Sequence, residues 1–175
     1  FSDARVIETG LQHGTVTVIL DGVQMEVTTF RKDGTYADHR RPEQVSFTDH
    51  ITEDLARRDF TVNAMAYSPA RGLSDPFGGQ CDLQNKILRA VGDPIRRFEE
   101  DSLRILRLAR FSATLGFAVE EETAAAAVKQ APLLKYIAQE RILQELEKLL
   151  MGEFAVAALR QFTPVIIQVL PELTA

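Results

Sequence analysis

Residues 89–111 read RAVGDPIRRFEEDSLRILRLARF, and the periodicity of the chain changes inside them. Gly92-Asp93-Pro94 interrupts any regular element. From Phe98 onward the apolar residues recur at helical spacing. The stretch FEEDSLRILRLARFSATLG (98–116) opens on Glu99, Glu100 and Asp101 and closes at Gly116. That is the polarity of a capped helix, with anions at its positive end and a glycine after its last turn. Toward the C-terminus, VEEETAAAAVKQA (119–131) reads as a second helix and QERILQELEKLLMG (139–152) as a third. In the third, Ile142, Leu143, Leu146, Leu149 and Leu150 form one stripe, with Gly152 as C-cap. EFAVAALRQF (153–162) starts a fourth, ended by Pro164.

Toward the N-terminus the period is two. TVTVIL (15–20), Asp21-Gly22 and VQMEVTTF (23–30) predict a hairpin, because Asp-Gly accepts the positive φ of a two-residue turn. Val23, Met25, Val27 and Thr29 share one face of its second strand; Gln24, Glu26, Thr28 and Phe30 share the other. Residues 31–48, broken by Gly34 and Pro42, read as a long exposed loop. TEDLARRD (52–59) carries a short helix signal with Thr52 as N-cap. NAMAY (63–67) and RGLSD (71–75) suggest a second hairpin around Ser68-Pro69, followed by a short helix over 80–85 and a strand over 87–91. The expected fold class is therefore α+β: a β-rich part over 1–92 with a mixed sheet, then an all-helical part over 93–175.

Composition narrows the function classes. The chain has 175 residues, 45% hydrophobic and 26% charged, the balance of a globular protein. No apolar run approaches the roughly 20 residues of a membrane span, and the first residues carry no secretory signal. Cys81 is the only cysteine, which excludes an intrachain disulfide and speaks against a thiolate zinc site; a reducing, cytoplasmic setting fits. A net charge of −5 argues against a chain that coats nucleic acid over its whole surface. It leaves room for a local basic site, and arginines do cluster: Arg40-Arg41, Arg57-Arg58, Arg96-Arg97, and Arg104, Arg107 and Arg110.

Three constellations can carry chemistry. Asp101 and Arg104, three residues apart, would share a helical face that Arg107 and Arg110 extend. A carboxylate acceptor beside a guanidinium donor matches the pairing edge of cytosine or adenine, each of which offers an amino donor and a ring-nitrogen acceptor. Guanine and uracil present the reverse polarity at that ring nitrogen. The same spacing also describes an ordinary surface ion pair. In LARRDFTVNAMA, Arg57 and Arg58 could neutralise a triphosphate, Asp59 could accept from a ribose hydroxyl and Asn63 could orient either; equally, the arginines could offset a helix dipole. Glu26, fixed on a strand, is a part for a metal site if partners exist, and otherwise a solvent-facing glutamate.

The ordered motifs HGTVTV with EVTTFR, DLARRDFTVNAMAY, DPFGGQCDL, RAVGDPIRRFEEDSLRILRLARF and ERILQELEKLL together resemble the class II nucleotidyltransferases, the CCA-adding enzymes and bacterial poly(A) polymerases, from about Arg5 to about Gly152. The resemblance implies a partial polymerase-beta-like nucleotidyltransferase head followed by a helical neck. It implies ribose and triphosphate recognition by Arg57, Arg58 and Asp59, and a protein template for the incoming base in Glu100, Asp101 and Arg104. Glu26 would be the family's third acidic position near catalytic Mg²⁺. DPFGG would be the head–neck hinge, and Arg141 and Glu145 would belong to a neck-stabilising motif, structural rather than catalytic. The implied reaction is transfer of CMP and AMP from CTP and ATP to a tRNA 3′ end, with release of pyrophosphate. A poly(A)-adding or CC- or A-only enzyme is the near alternative, and a non-catalytic nucleotide- or RNA-binding module the distant one. One departure stands out: no Asp-x-Asp occurs in these 175 residues, whereas the family opens with such a pair to hold two metal ions. The expectation is a truncated chain, inactive by itself.

Overall fold

The structure, a computed structural model, describes residues 4–8, 10–11, 14–34 and 45–174. The Asp-Gly hairpin forms as expected. β2 (Thr15–Leu20) and β3 (Val23–Thr28) pair antiparallel from Leu20↔Val23 to Thr15↔Thr28. Asp21 and Gly22 both take positive φ, 50° and 78°, which matches the right-handed strand twist. β1 (Arg5–Ile7) adds on the far side of β2, giving the order β1-β2-β3. The register puts Val16, Val18 and Leu20 opposite Val27, Met25 and Val23, so one face is almost wholly apolar. Only Val18 is buried, while Val23, Met25 and Val27 remain 59%, 40% and 50% exposed.

Residues 31–48 are not a loop throughout. β4 (Arg31–Asp33) and β5 (Val45–Phe47) form an antiparallel pair, and the Thr48 amide donates to Phe30 O at 3.0 Å. Three-residue strands bury no alternating face, so their pairing leaves no period in the sequence. Residues 35–44, including Arg40-Arg41, lie outside the described residues.

α1 (Ile51–Ala56) begins one residue before Thr52, with His50 at the N-cap and no side-chain cap. Its start is held instead by Thr48, whose hydroxyl accepts from the His50 amide and donates to Glu53. A 3₁₀ turn over Thr61–Asn63 follows. Then come the hairpin of β6 (Ala66–Ser68) and β7 (Gly72–Ser74) and helix α2 (Gly79–Asn85). The expected strand over 87–91 shortens to β8 (Ile87–Leu88), which pairs in parallel with β9 (Ala118–Val119).

The largest difference falls in the stretch that decides the fold. The expected continuous helix is two: α3 (Pro94–Glu100) and α4 (Leu103–Leu115). α3 starts earlier than expected, with Pro94 in its first turn and the Asp93 carboxylate accepting from the Arg96 amide. Asp101 breaks the run in an extended conformation, φ −143° and ψ 101°, and its Oδ1 accepts from the Leu103 amide at 3.2 Å. Asp and Ser compete for backbone donors and so favour helix starts over helix interiors. Gly116 ends α4 at φ 65°.

α5 (Glu121–Gln130) is capped by the Glu120 carboxylate on the Thr123 amide. α6 (Gln139–Leu150) buries Glu145, Leu146 and Leu149, while Leu143 and Leu150 face outward. The buried stripe is thus rotated from the one expected. Gly152 is not the C-cap, which is Met151 in a right-handed conformation. Its role is close approach: a Cβ there would stand 2.5 Å from the Ala113 carbonyl oxygen. Pro164 sits in the first turn of α8 (Thr163–Val169), after α7 (Ala155–Gln161); its missing N–H costs nothing at a helix start.

One main core joins the two parts. Phe60 and Leu88 from the β-rich part pack with Phe98, Leu103, Ile105, Leu106 and Leu108 of α3 and α4, and these with Leu134, Leu149, Phe162 and Val165. α4 is its axis, packed against both α6 and α7. Among the described residues no helix is long and apolar enough to cross a membrane.

Candidate functional site

The segment after α1 is held by backbone pairing rather than by its own helix. Phe60 bridges Ala90, the Thr61 amide donates to Arg89 O at 2.9 Å, and the Val91 amide donates to Asp59 O at 3.0 Å. Side chains reinforce the seam. The Asp82 carboxylate accepts from Thr61 Oγ1 at 2.7 Å and from Arg89 Nε at 3.0 Å, and Arg89 Nη1 reaches Glu120 at 3.1 Å. Asp59 therefore enters the space between the two parts at a fixed height along α4.

There a pocket opens, walled by Arg57, Arg58, Asp59 and Asn63 on one side and Asp101, Leu103, Arg104, Arg107 and Phe111 on the other, with Arg141 of α6 completing it. Two segments far apart in sequence, both singled out from their residue types, thus meet in one place. Glu26 is not among its walls; it lies exposed on β3 opposite Thr17. Arg110 is not either. Its guanidinium is tied to Glu145 across the α4–α6 contact and stacked 3.9 Å from the Phe111 ring centre. Arg110, read from the sequence as extending the binding face, stands apart from this pocket because the α4 arginines diverge around the helix as they meet different neighbours. Arg141, read as a structural rather than a catalytic residue, lines the pocket, with Nη2 3.7 Å from Asp101 Oδ2. Only the packing of α6 on α4 reveals that.

Within the pocket, Arg104 is buried and spends three of its five N–H donors on the protein. Nη1 donates to Arg97 O at 3.0 Å and Glu100 Oε2 at 3.1 Å, and Nη2 donates to Arg57 O at 2.9 Å. That leaves Nε and one Nη2 hydrogen, a planar pair of donors on a rigid base. Asp101 uses one oxygen on the Leu103 amide and keeps acceptor capacity on the other. Asp101 and Arg104 share the pocket, although not as residues three apart on one helix: the break at Asp101 sets their relation. The two adjacent arginines differ. Arg57 is clamped on Asp54 Oδ1 through Nε at 3.0 Å and Nη2 at 2.7 Å. Arg58 meets Asp54 only at 3.6 Å and is 46% exposed against 18% for Arg57, so it is the more available cation.

Asp59 is buried. Its Oδ1 accepts from the Phe60 amide at 2.9 Å and Asn63 Nδ2 at 3.1 Å; its Oδ2 accepts from Arg107 Nε at 2.8 Å and Nη2 at 2.6 Å. Burial pushes this carboxyl up, but the Arg107 charge and the hydrogen bonds outweigh it and hold it below the usual carboxylate range. Taken together the pocket offers an acceptor, a fork of donors, the loosely held guanidinium of Arg58, the Arg107 guanidinium with Nη1 unused, and an aromatic ring. Such a set suits a planar polar ring carrying an anionic tail.

The Poly A polymerase head domain matches residues 1–89, and the probable RNA- and SrmB-binding region of polymerase A matches residues 116–175. The chain belongs to the tRNA nucleotidyltransferase and poly(A) polymerase family. It is 49% identical over 155 residues to the CCA-adding enzyme of Geobacillus kaustophilus, covering 89% of this chain and 38% of that one. It is 51% identical over 150 residues to the CCA-adding enzyme of Streptococcus gordonii, covering 86% and 38%. Its fold superposes on the CCA-adding enzyme of Bacillus stearothermophilus in complex with CTP with a TM-score of 0.82 at 44% identity, over 90% of this chain and 38% of that one. The CCA-adding enzyme of Thermotoga maritima complexed with tRNA gives 0.75 at 28% identity, over 97% and 38%. The chain thus spans well under half the length of these relatives.

Proposed function

We propose that this chain is the nucleotide-selecting part of a template-independent RNA nucleotidyltransferase, an enzyme that in full length adds CMP and AMP from CTP and ATP to a tRNA 3′ end with release of pyrophosphate. The observation that carries this reading is the convergence of Asp101 and Arg104 with Arg58, Asn63 and Arg107 around one pocket. Asp101 accepts from the amino group of cytosine or adenine, and one of the two uncommitted donors of Arg104 meets the ring nitrogen. Arg58 and Arg107 neutralise the triphosphate, and the Asp59 segment lies where the ribose would sit. Domain limits of 1–92 for the head and 93–175 for the neck, and a cytoplasmic setting, belong to the same reading. The CCA-adding relatives, with structures holding CTP, ATP and tRNA, favour CCA addition over poly(A) addition.

Mg²⁺ enters through the family resemblance, and the residues present do not make a site for it. Among the described residues no three His, Cys, Asp or Glu gather, and Glu26 alone offers one carboxylate where Mg²⁺ takes about six oxygen ligands. The pocket's own contribution is to bind, orient and discriminate. The test is to extend the chain to the full length of its relatives and supply RNA lacking its CCA end with each nucleotide singly and in pairs. Addition of two C and one A from CTP and ATP is the expected result. Addition of A alone in long runs selects the poly(A) alternative, and no addition with retained nucleotide binding selects a non-catalytic module.

A further inference from the structure

The far side of β3 is an open sheet edge. Among the described residues no strand pairs there, since the sheet order is β1-β2-β3, and every residue from Val23 to Thr28 is exposed. The phase of its backbone follows from the hairpin. Leu20 and Val23 flank the two-residue turn and so exchange both hydrogen bonds, and bonded pairs then recur at every second residue. Thr29, whose amide donates to Gly14 O at 2.9 Å, keeps that phase. Val23, Met25 and Val27 therefore spend their backbone groups on β2, whereas Gln24, Glu26 and Thr28 turn theirs outward. Sheet edges are commonly blunted by lysine, proline or a bulge. β3 has none of these, and its one charge is Glu26.

We propose that β3 is an interaction surface for a second copy of this chain, the two β3 strands pairing antiparallel about a two-fold axis at Met25. The backbone phase allows only registers that set Gln24, Glu26 and Thr28 against the same set on the partner. A two-fold at Met25 sets Val23 against the partner's Val27, Gln24 against the partner's Glu26, and Met25 against the partner's Met25. Apolar side chains then meet along one face. On the other, the Gln24 amide donates to the partner's Glu26 carboxylate, and symmetry repeats that bond. Moving the axis to Glu26 puts two like charges directly opposite, which is unfavourable. Moving it to Gln24 sets Glu26 against the partner's Gly22, inside the turn, and shortens the ladder. The Met25 register also joins the apolar rows of the two sheets, Val16, Val18 and Leu20 with Val23, Met25 and Val27, into one face across six strands. Only two strand edges are buried, so the association is weak and concentration-dependent.

The experiment uses the charge exchange that a two-fold at one residue makes possible. Sedimentation equilibrium is run on the 175-residue chain from micromolar to millimolar concentration, for the wild type, Met25→Lys, Met25→Glu and an equimolar mixture of the two variants. The expected result is a monomer–dimer equilibrium for the wild type and monomer for each variant alone, because like charges then face each other across the axis. The mixture should dimerise again. Met25 is 40% exposed and lies outside the buried core, so each variant should keep the wild-type melting temperature at dilution. A covalent measurement decides if either variant proves unfolded. In a Cys81→Ser background, Met25→Cys with oxidised glutathione should give a disulfide-linked dimer, since a non-hydrogen-bonded pair brings its Cα atoms to about 4.5 Å, within the span of a disulfide. Gln24→Cys, which faces the partner's Glu26, should not cross-link. Wild-type protein that stays monomeric at every concentration overturns the proposal. So does a mixture that fails to associate, or self-association that persists in Met25→Lys, since either puts the contact on another surface or in another register.

Discussion

Asp101 and Arg104 are where base reading separates from simple charge. Each offers a partly buried, charge-assisted contact worth roughly 1.5–3 kcal/mol. In the chain extended to the length of its relatives, Asp101→Ala is expected to lose about 10- to 100-fold in efficiency with CTP and ATP alike, and to relax discrimination against UTP and GTP. A ratio of CTP to UTP use that stays unchanged would show that this pair does not read the base. Arg104→Lys is not expected to rescue, and the structure sharpens the reason: a lysine can replace neither the carbonyl contacts to Arg57 and Arg97 nor the remaining fork. On the proposed reading, Arg58→Ala should weaken all four nucleotides similarly, since phosphate and ribose are common to them. Asp59 adds a pH signature. Its carboxyl is lowered in the folded state, so the stability it contributes is complete above the ordinary Asp value of about 3.9 and is lost as the pH falls through the lower folded value. The melting-temperature gap between wild type and Asp59→Asn is therefore expected to be widest near neutrality and to narrow below about pH 4. A gap that widens on acidification would contradict the ion pair.

At the scale of elements, the contact of α4 with α6 and the α7 approach makes the pocket rigid. Arg110 and Glu145 are both largely buried where these helices meet. Removing the carboxylate by Glu145→Ala strands a guanidinium and should cost about 3 kcal/mol, read by urea denaturation. A change within a few tenths of a kcal/mol would place the pair at the surface instead. Gly152→Ala tests the close approach of the α6–α7 link to Ala113. Overpacking against a backbone oxygen should lower stability by about 1–3 kcal/mol, whereas a cap glycine with open space around it would tolerate alanine at less cost.

Over the whole molecule, burial is unevenly distributed. The helical part packs around α4, while the β1-β2-β3 sheet presents Val23, Met25 and Val27 to solvent from its edge strand. In dilute solution amide exchange should accordingly be fastest in β3 and slowest in α4, since few buried contacts mean cheap local opening; equal protection in both would mean that the apolar face is covered in solution. The 175-residue chain by itself should add no labelled CMP or AMP to RNA above background. Metal-assisted phosphoryl transfer needs carboxylates grouped around the ions, and among the described residues none are so grouped. Metal-dependent incorporation by the purified chain would refute this.

What the sequence determined by itself is whatever local chemistry dictates. The Asp21-Gly22 turn, the change of period after Gly92, the helix existence from 103 to 150 and the family-bearing motifs all follow from backbone preference and side-chain spacing, which act over a few residues. Tertiary structure alone decided the rest. The rotation of the α6 stripe depends on which partner it meets. The departure of Arg110 to Glu145, the arrival of Arg141 beside Asp101 and the ion pair of Asp59 with Arg107, 48 positions away, are pairings between distant segments. No periodicity encodes them, because the free energy of a buried charge is set by what surrounds it in space.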